Sequence, residues 1–411
     1  PEVCFAPGTS PDVVRRYAAD RRTAGMRTGL QPNTFQFDSG ANWWGTATDG
    51  FVNNRPDGSP VTLTWSIVPD GTPTGAFGGI PGESSNPSNL RAFLNGIYPG
   101  GEAEWLPIFQ SVFDRWGQIT GITYVFVGDD GAPMLGGNAP SGAFPYAPGE
   151  LGVRGDVRIT GHPLDGPGGV LAYNFFPDYG DMFIDTADTF YNDKSNLSRR
   201  LVNVLAHEHG HGVGLKHSCP IQNTKLMEPF ASTAFLHAQF DDILGGQRAN
   251  GDNSEDNDTF DTAANLGALG NGTANFTELS IDDNGDVDFY KFTVPNGKKA
   301  SITLTPIGST YLAGPQNVPS GTCSAGTNFN ALSQQNLGLE LRNTNGTTVM
   351  ASATGAGIGA AESIAATPLT GGGTFFIRAF ASPATPDAVQ AYHLAITIAD
   401  DVPTMSINDV S

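Results

Sequence analysis

Residues His207-Glu208-His209-Gly210-His211-Gly212-Val213-Gly214-Leu215-Lys216-His217 carry the skeleton H-E-x-x-H-x-x-G-x-x-H. Upstream, Leu197, Leu201, Val204 and Leu205 recur at helical spacing, so the stretch is read as the end of an amphipathic helix. On that helix His207 and His211 lie one turn apart on the same face, and both imidazoles reach a single ion. Glu208 stands beside them as a non-ligand, placed to take a proton from water. Gly214 tolerates positive φ and turns the chain out of the helix, which brings His217 back as a third nitrogen. Three nitrogens with the fourth tetrahedral position open to water form a catalytic rather than a structural zinc site. His209 points off this face and is read as a solvated or hydrogen-bonded histidine.

Composition bounds the rest. A chain of 411 residues suggests two to three domains. With 53 Gly and 29 Pro among short alternating apolar runs, strands and loops should outweigh helices. The net charge of −20 leaves no basic stripe to track phosphates, which argues against nucleic acid as a partner. It suits a secreted protein with calcium sites, and equally a plain acidic surface. No apolar run has the length of a membrane span. The start at Pro1 rather than Met fits a leader or pro-segment already removed. Cys4, Cys219 and Cys323 allow at most one internal disulfide. Cys4–Cys219 is the favoured pairing. A zinc-ligating Cys4 acting as a latency switch is the rival reading, and free buried thiols are the plain one.

Within residues 1–60, 11–22 read as a short helix with Pro11 near its first position. Arg15, Arg16, Arg21, Arg22 and Arg27 form a basic cluster, and Trp43-Trp44 stand in a stretch (35–50) with no assigned role. Val61–Ile67 alternates strictly, as a half-buried strand does. Trp105, Ile108, Phe109, Val112, Phe113 and Trp116 fall on one helical stripe of core residues, with Pro107 placed in the first turn. Strands at 122–127 and 156–159 complete an α/β (α+β) domain with a mixed sheet before the histidine helix.

These motifs together resemble the metzincin zinc peptidases, whose signature is the histidine skeleton quoted above. Met227, within Lys225-Leu226-Met227-Glu228-Pro229, is similar to the methionine turn that underlies their metal. Asp165-Gly166-Pro167-Gly168-Gly169, ahead of the strand Val170–Tyr173, narrows the resemblance to the matrixin branch, over residues 61–250. The resemblance implies calcium at Asp165, the carbonyls of Gly166, Gly168 and Val170, and the carboxylates of Asp185 and Asp188. A Gly-rich turn beside a carboxylate suits that hard cation. It also implies that Val170–Tyr173, with Leu171 and Ala172, is an edge strand pairing with extended substrate, and that Pro229 and Phe230 line an apolar pocket. A second, structural zinc is not expected, because its four ligand positions map onto Arg158, Thr160, Tyr173 and Phe183.

From Gly251 the composition shifts to an acidic linker (251–280), then to regular short strands (281–400) and a tail (401–411). That pattern suggests an antiparallel β-sandwich. Residues 257–263 and Asp286-Val287-Asp288-Phe289-Tyr290 resemble the bacterial pre-peptidase C-terminal domain. The resemblance implies a calcium site drawn from Glu255, Asn257, Asp258, Asp286 and Asp288. The expected protein is a secreted, extracellular zinc endopeptidase with one catalytic zinc, structural calcium and a peptide or protein substrate. Extracellular polymer binding through the sandwich is a further expectation. The alternative is a cell-surface or matrix-binding adhesive protein whose protease domain is vestigial or latched by residues 1–60.

Overall fold

A computed structural model of the chain describes residues 1–20, 41–52, 55–134, 149–317, 320–382 and 387–402. Arg21, Arg22 and Arg27, residues 35–40 and the tail beyond 402 lie outside the described residues. Two compact units emerge: Pro1–Asn253 with Thr310–Phe329, and Ser254–Ser309 with Asn330–Ser411. Residues 310–329 therefore fold with the first unit, although strands of the second flank them in sequence.

The first unit is built on a six-stranded mixed sheet. Its order is Glu2–Phe5, Val170–Asn174, Met182–Asp185, Val157–His162, Val61–Ile67, Ile122–Phe126. The last four strands in that order run parallel to one another, and the first two pair antiparallel. Parallel neighbours need a crossover, and the helices Leu90–Ile97 and Glu102–Ile119 supply the one between Val61–Ile67 and Ile122–Phe126. Trp105, Phe109, Val112, Phe113 and Trp116 are buried along the longer helix, and Phe113 stacks on Trp65 of the sheet at 4.2 Å. This helix begins at Glu102, so Pro107 is beyond the first turn and deprives the Ala103 carbonyl of its usual donor.

The helix Ser195–Val213 lies next to this core with Leu201, Val204 and Leu205 buried. The reading of Leu197 as part of the apolar stripe is corrected here. Asn196, Leu197 and Ser198 have positive φ, and Leu197 is 81% exposed, because the chain makes a left-handed turn before regular helix begins. Two indoles secure the far end. Trp116 Nε1 donates to Ala206 O at 3.2 Å and Trp43 Nε1 to Gly212 O at 2.8 Å. Trp43 thus has a structural task that its sequence context did not reveal.

In the second unit, Ala264–Ala268, Val287–Val294, Gly373–Ala381, Leu337–Arg342 and Val349–Ala353 form a five-stranded sheet. Gly272–Ile281, Gln390–Asp400, Lys298–Pro306 and Glu362–Leu369 form a four-stranded one. Alternate residues of both sheets, among them Tyr290, Phe292, Ile302, Leu339, Ile377 and Ile396, belong to one buried apolar cluster. The period-2 alternation read from the sequence is what supplies each sheet with its apolar face.

Candidate metal centre

His207, His211 and His217 converge, with one ring nitrogen of each lying within 4.8 Å of the others. Each Nδ1 is held by an oxygen. His207 Nδ1 donates to Leu226 O at 2.7 Å, His211 Nδ1 to Leu215 O at 2.6 Å, and His217 Nδ1 to Gln316 Oε1 at 2.7 Å. A main-chain carbonyl only accepts, so the first two rings carry their proton on Nδ1 and present the Nε2 lone pair inward. His207 Nε2 and His217 Nε2 stand 3.3 Å apart, and buried His211 Nε2 has no hydrogen-bond partner. Burial, with the neighbouring histidines adding to it, pushes His207 down to about 3 and His211 well below its usual value. Neutral imidazoles aimed at one point are the form that binds metal. The donor set fits a zinc ion. Gly214, at φ 117°, ends the helix and makes room for the return to His217. His209 is buried against Phe113 and bonded to Tyr124 OH through Nε2 at 2.6 Å.

Glu208 is fully buried. Its Oε1 accepts from Cys4 N at 3.0 Å, and Oε2 has no hydrogen-bond partner. Burial raises its carboxyl well above the usual range, and the charge of Glu2 adds to this. The strand Val170–Asn174 is not an edge, which corrects the sequence reading. Residues Glu2–Phe5 pair antiparallel with it, Val3 opposite Tyr173 and Cys4 opposite Ala172. On their other side Phe5 N donates to Pro229 O at 3.0 Å and Ala231 N to Phe5 O at 2.9 Å. Phe5 and Phe230 form a parallel bridge, with ring centroids 5.7 Å apart. Ala172, Pro229 and Phe230 are thus already engaged by the chain's own residues 2–5, while Leu171 falls at the register shift between Cys4 and Phe5. All four residues of this short run are buried, and the open hydrogen-bonding edge of Val170–Asn174 supplies its pairing partner.

The favoured pairing Cys4–Cys219 is also corrected. Cys219 is joined to Cys323, because Thr310–Asn317 pairs with Ser218–Cys219 and brings Cys323 alongside. Cys4 is a buried free thiol whose Sγ groups with ligand atoms of His207 and Glu208.

Met227 is buried with its sulfur against Gly210 of the histidine helix. The sequence reading missed what holds it: Asp242 accepts from Leu226 N at 2.7 Å and Met227 N at 3.0 Å, and also from Gln239 N. Glu228 gathers the N–H groups of Gln222, Asn223, Thr224 and Lys225. An acid after a helix start and an acid inside a turn were the available signals, but neither specifies a distant partner. A Cβ on Gly210 would overlap Met227 Sδ. Gly210→Ala is therefore expected to displace Met227 and destabilise the fold by about 1–3 kcal/mol, read as a lowered denaturation midpoint.

The glycine loop brings three acids together with its amides. Asp165 accepts from Val170 N, Asp185 from Leu164 N and Gly166 N, and Asp188 from Gly168 N. Gly166 and Gly168 adopt positive φ, and a side chain on Gly169 would overlap the Asp165 carboxylate. Three of the four positions mapped to a second zinc are otherwise engaged, and Thr160 is buried in the sheet. Arg158 pairs with Asp129, Tyr173 OH donates to Glu83, and Tyr173 stacks on Phe183. In the second unit Glu255 groups with Asp256 and Asp258, and separately with Asp282 and Asp286. Asn257 is buried beside them with Oδ1 lacking a partner, whereas Asp288 accepts from Tyr392 OH at 2.6 Å. Asp256, read from the sequence only as one of the linker acids, and Asp282 were not in the calcium set that the resemblance implies.

The family model of the matrixins matches residues 153–249. Metalloendoproteinase 4-MMP of Arabidopsis thaliana is 26% identical over 36% of this chain and 40% of its own length. Stromelysin-3 of Xenopus laevis is 44% identical over 21% of this chain and 18% of its own. The chain therefore spans less than half the length of these relatives. A solved pre-peptidase C-terminal domain of a Bacillus anthracis collagenase aligns with 33% of this chain and 92% of its own, at 10% identity and a TM-score of 0.18. That likeness is too slight to fix a fold. The stretch holding the three histidines and Met227 is matrixin-like, and its homology is to metalloendopeptidases.

Proposed function

We propose that this chain is a secreted zinc endopeptidase in which His207, His211 and His217 hold the metal and Glu208 is the general base and then the general acid. The observation that carries the reading is the set of three rings turned inward by oxygens at their Nδ1 atoms, beside a buried carboxylate with one oxygen unengaged. Zinc, when bound, supplies polarisation of the peptide carbonyl and an acidified water. Glu208, whose carboxyl burial raises well above its usual range, would take a proton at its unengaged Oε2 from the attacking water and return it to the leaving amine. Leu171 and Ala172 on one side, Pro229 and Phe230 on the other, would grip extended substrate once residues 2–5 have left. The Cys219–Cys323 disulfide supports an oxidising, extracellular setting. No helix among the described residues is long and apolar enough to cross a membrane. Metal analysis combined with peptide-library cleavage tests the reading. A purified chain without zinc, or cleavage that survives complete zinc removal, would sink it.

A latched state of the same enzyme is favoured by the strand Glu2–Phe5, which lies where substrate would lie. The second unit is read as a β-sandwich accessory domain with a calcium site formed by Glu255, Asn257, Asp258 and Asp286, joined by Asp256 and Asp282. Asp288 stands beside that group, bonded to Tyr392.

In the first unit, calcium is assigned to Asp165, Gly166, Gly168, Val170, Asp185 and Asp188. Burial, then the charges of Asp185 and Asp188, push the Asp165 carboxyl up to about 6. Its unfolded value is about 3.9, so the native state binds this proton more tightly and, without a cation, loses stability as pH rises across that window. Calcium offsets the repulsion. The calcium-induced rise in melting temperature is expected to be larger near pH 7 than near pH 4, and Asp165→Asn should shrink the difference. Calorimetry giving equal rises at both pH values would remove Asp165 from the site.

A further inference from the structure

His207 and His211 are oriented by carbonyls close to them in the chain, Leu226 O and Leu215 O. His217 is not. Its Nδ1 faces the side chain of Gln316, 99 residues away in sequence and outside the stretch matched by the matrixin family model. Several contacts fix Gln316 in place. Its strand, Thr310–Asn317, pairs antiparallel with Ser218–Cys219, the two residues that follow His217. The Cys219–Cys323 disulfide ties the same excursion down. Tyr311 OH donates to Asp241 Oδ1 at 2.7 Å, and Ser218 Oγ to Asp241 Oδ2 at 2.9 Å.

The amide itself has one orientation. Gln316 Nε2 donates to Gly321 O at 2.9 Å. A carbonyl can only accept, so the NH₂ end must face Gly321 and Oε1 must face the imidazole. Oε1 in turn can only accept, so His217 Nδ1 carries the hydrogen and its Nε2 lone pair faces His207 Nε2, 3.3 Å away. Glu2 Oε2 also lies 3.7 Å from His217 Nδ1, but it belongs to the strand that covers the site.

We propose that Gln316 is a positioning residue for the metal centre: it sets the tautomer and ring orientation of His217, the third ligand. The proposal rests on the zinc reading above. An outer partner of this kind raises ligand basicity and holds the ring on target, and its loss costs about 10- to 100-fold in metal affinity. The excursion 310–329 thereby completes a site whose other parts come from residues 207–217.

The test measures zinc affinity by chelator competition on the full chain, for wild type, His217→Ala, Gln316→Leu and Gln316→Glu. Gln316→Leu, which keeps the bulk and removes the acceptor, is expected to weaken zinc by about 10- to 100-fold. Gln316→Glu, which keeps an acceptor, should restore most of that affinity. An unchanged affinity in Gln316→Leu, or an equal loss in both variants, overturns the proposal. If wild type binds no zinc, or His217→Ala does not weaken it, the zinc reading itself fails. Should the leucine variant not fold, the tautomer of His217 in the metal-free wild type decides, read from ¹⁵N shifts of labelled histidines. A proton on Nδ1 supports the assignment and a proton on Nε2 overturns it.

Discussion

Glu208→Gln is expected to lose peptide cleavage by a factor of about 10²–10⁴, the range of general acid–base catalysis, while its zinc content stays at the wild-type level. The substitution keeps the size of the side chain and an oxygen able to accept from Cys4 N, now at 3.0 Å from Oε1. What it removes is the capacity to take and return a proton. Glu208 is not one of the three convergent rings, so metal retention and catalysis separate in this variant. Full turnover with the amide in place would mean that another group handles the proton. Among the described residues the Cys4 thiol, which burial raises well above its usual value, is poorly suited to that work.

Removal of residues 1–5 should raise the rate of peptide cleavage by roughly a hundredfold. The ladder with Val170–Asn174 is exchanged for an equivalent one with substrate, so the estimate counts only the three bonds outside it, namely Cys4 N to Glu208, Phe5 N to Pro229 O and Ala231 N to Phe5 O. At about 1 kcal/mol net each, they correspond to a little over two powers of ten. On the proposed function, incoming substrate would have to displace these bonds before pairing along Leu171 and Ala172. Val3 and Phe5 also belong to a buried apolar cluster, so the truncated protein should lose some thermal stability as it gains activity. The comparison is kcat/KM for one peptide with and without the segment. Equal values, or a loss, would show that residues 2–5 serve the fold and do not obstruct the site.

Much of the candidate centre was legible because its geometry is local. An i, i+4 pair of histidines shares a helix face whatever surrounds it, and Gly214 permits the turn from the residue's own lack of a Cβ. The stripe from Trp105 to Trp116 is buried for the same kind of reason: period fixes face, and face meets the sheet. Leu197 shows the limit of that logic. Its spacing fits the stripe, yet the left-handed turn at Asn196–Ser198 throws it into solvent.

Contacts between distant segments were not readable in this way. Three cysteines admit three pairings, and only the strand match of Gly314 with Cys219 selects Cys323 over Cys4. The acids Asp242 and Glu228 look like ordinary surface residues in the sequence, but each gathers several buried amides around the methionine turn. The sequence by itself determined the helix, the convergence of His207 and His211, the glycine exit and the acidic loops, because periodicity and spacing act within a few residues. Only the tertiary structure decided that Glu2–Phe5 covers the site and that Gln316 reaches His217. Those outcomes depend on which hydrogen-bonding edges meet in space, a property of the folded sheet that no local pattern encodes.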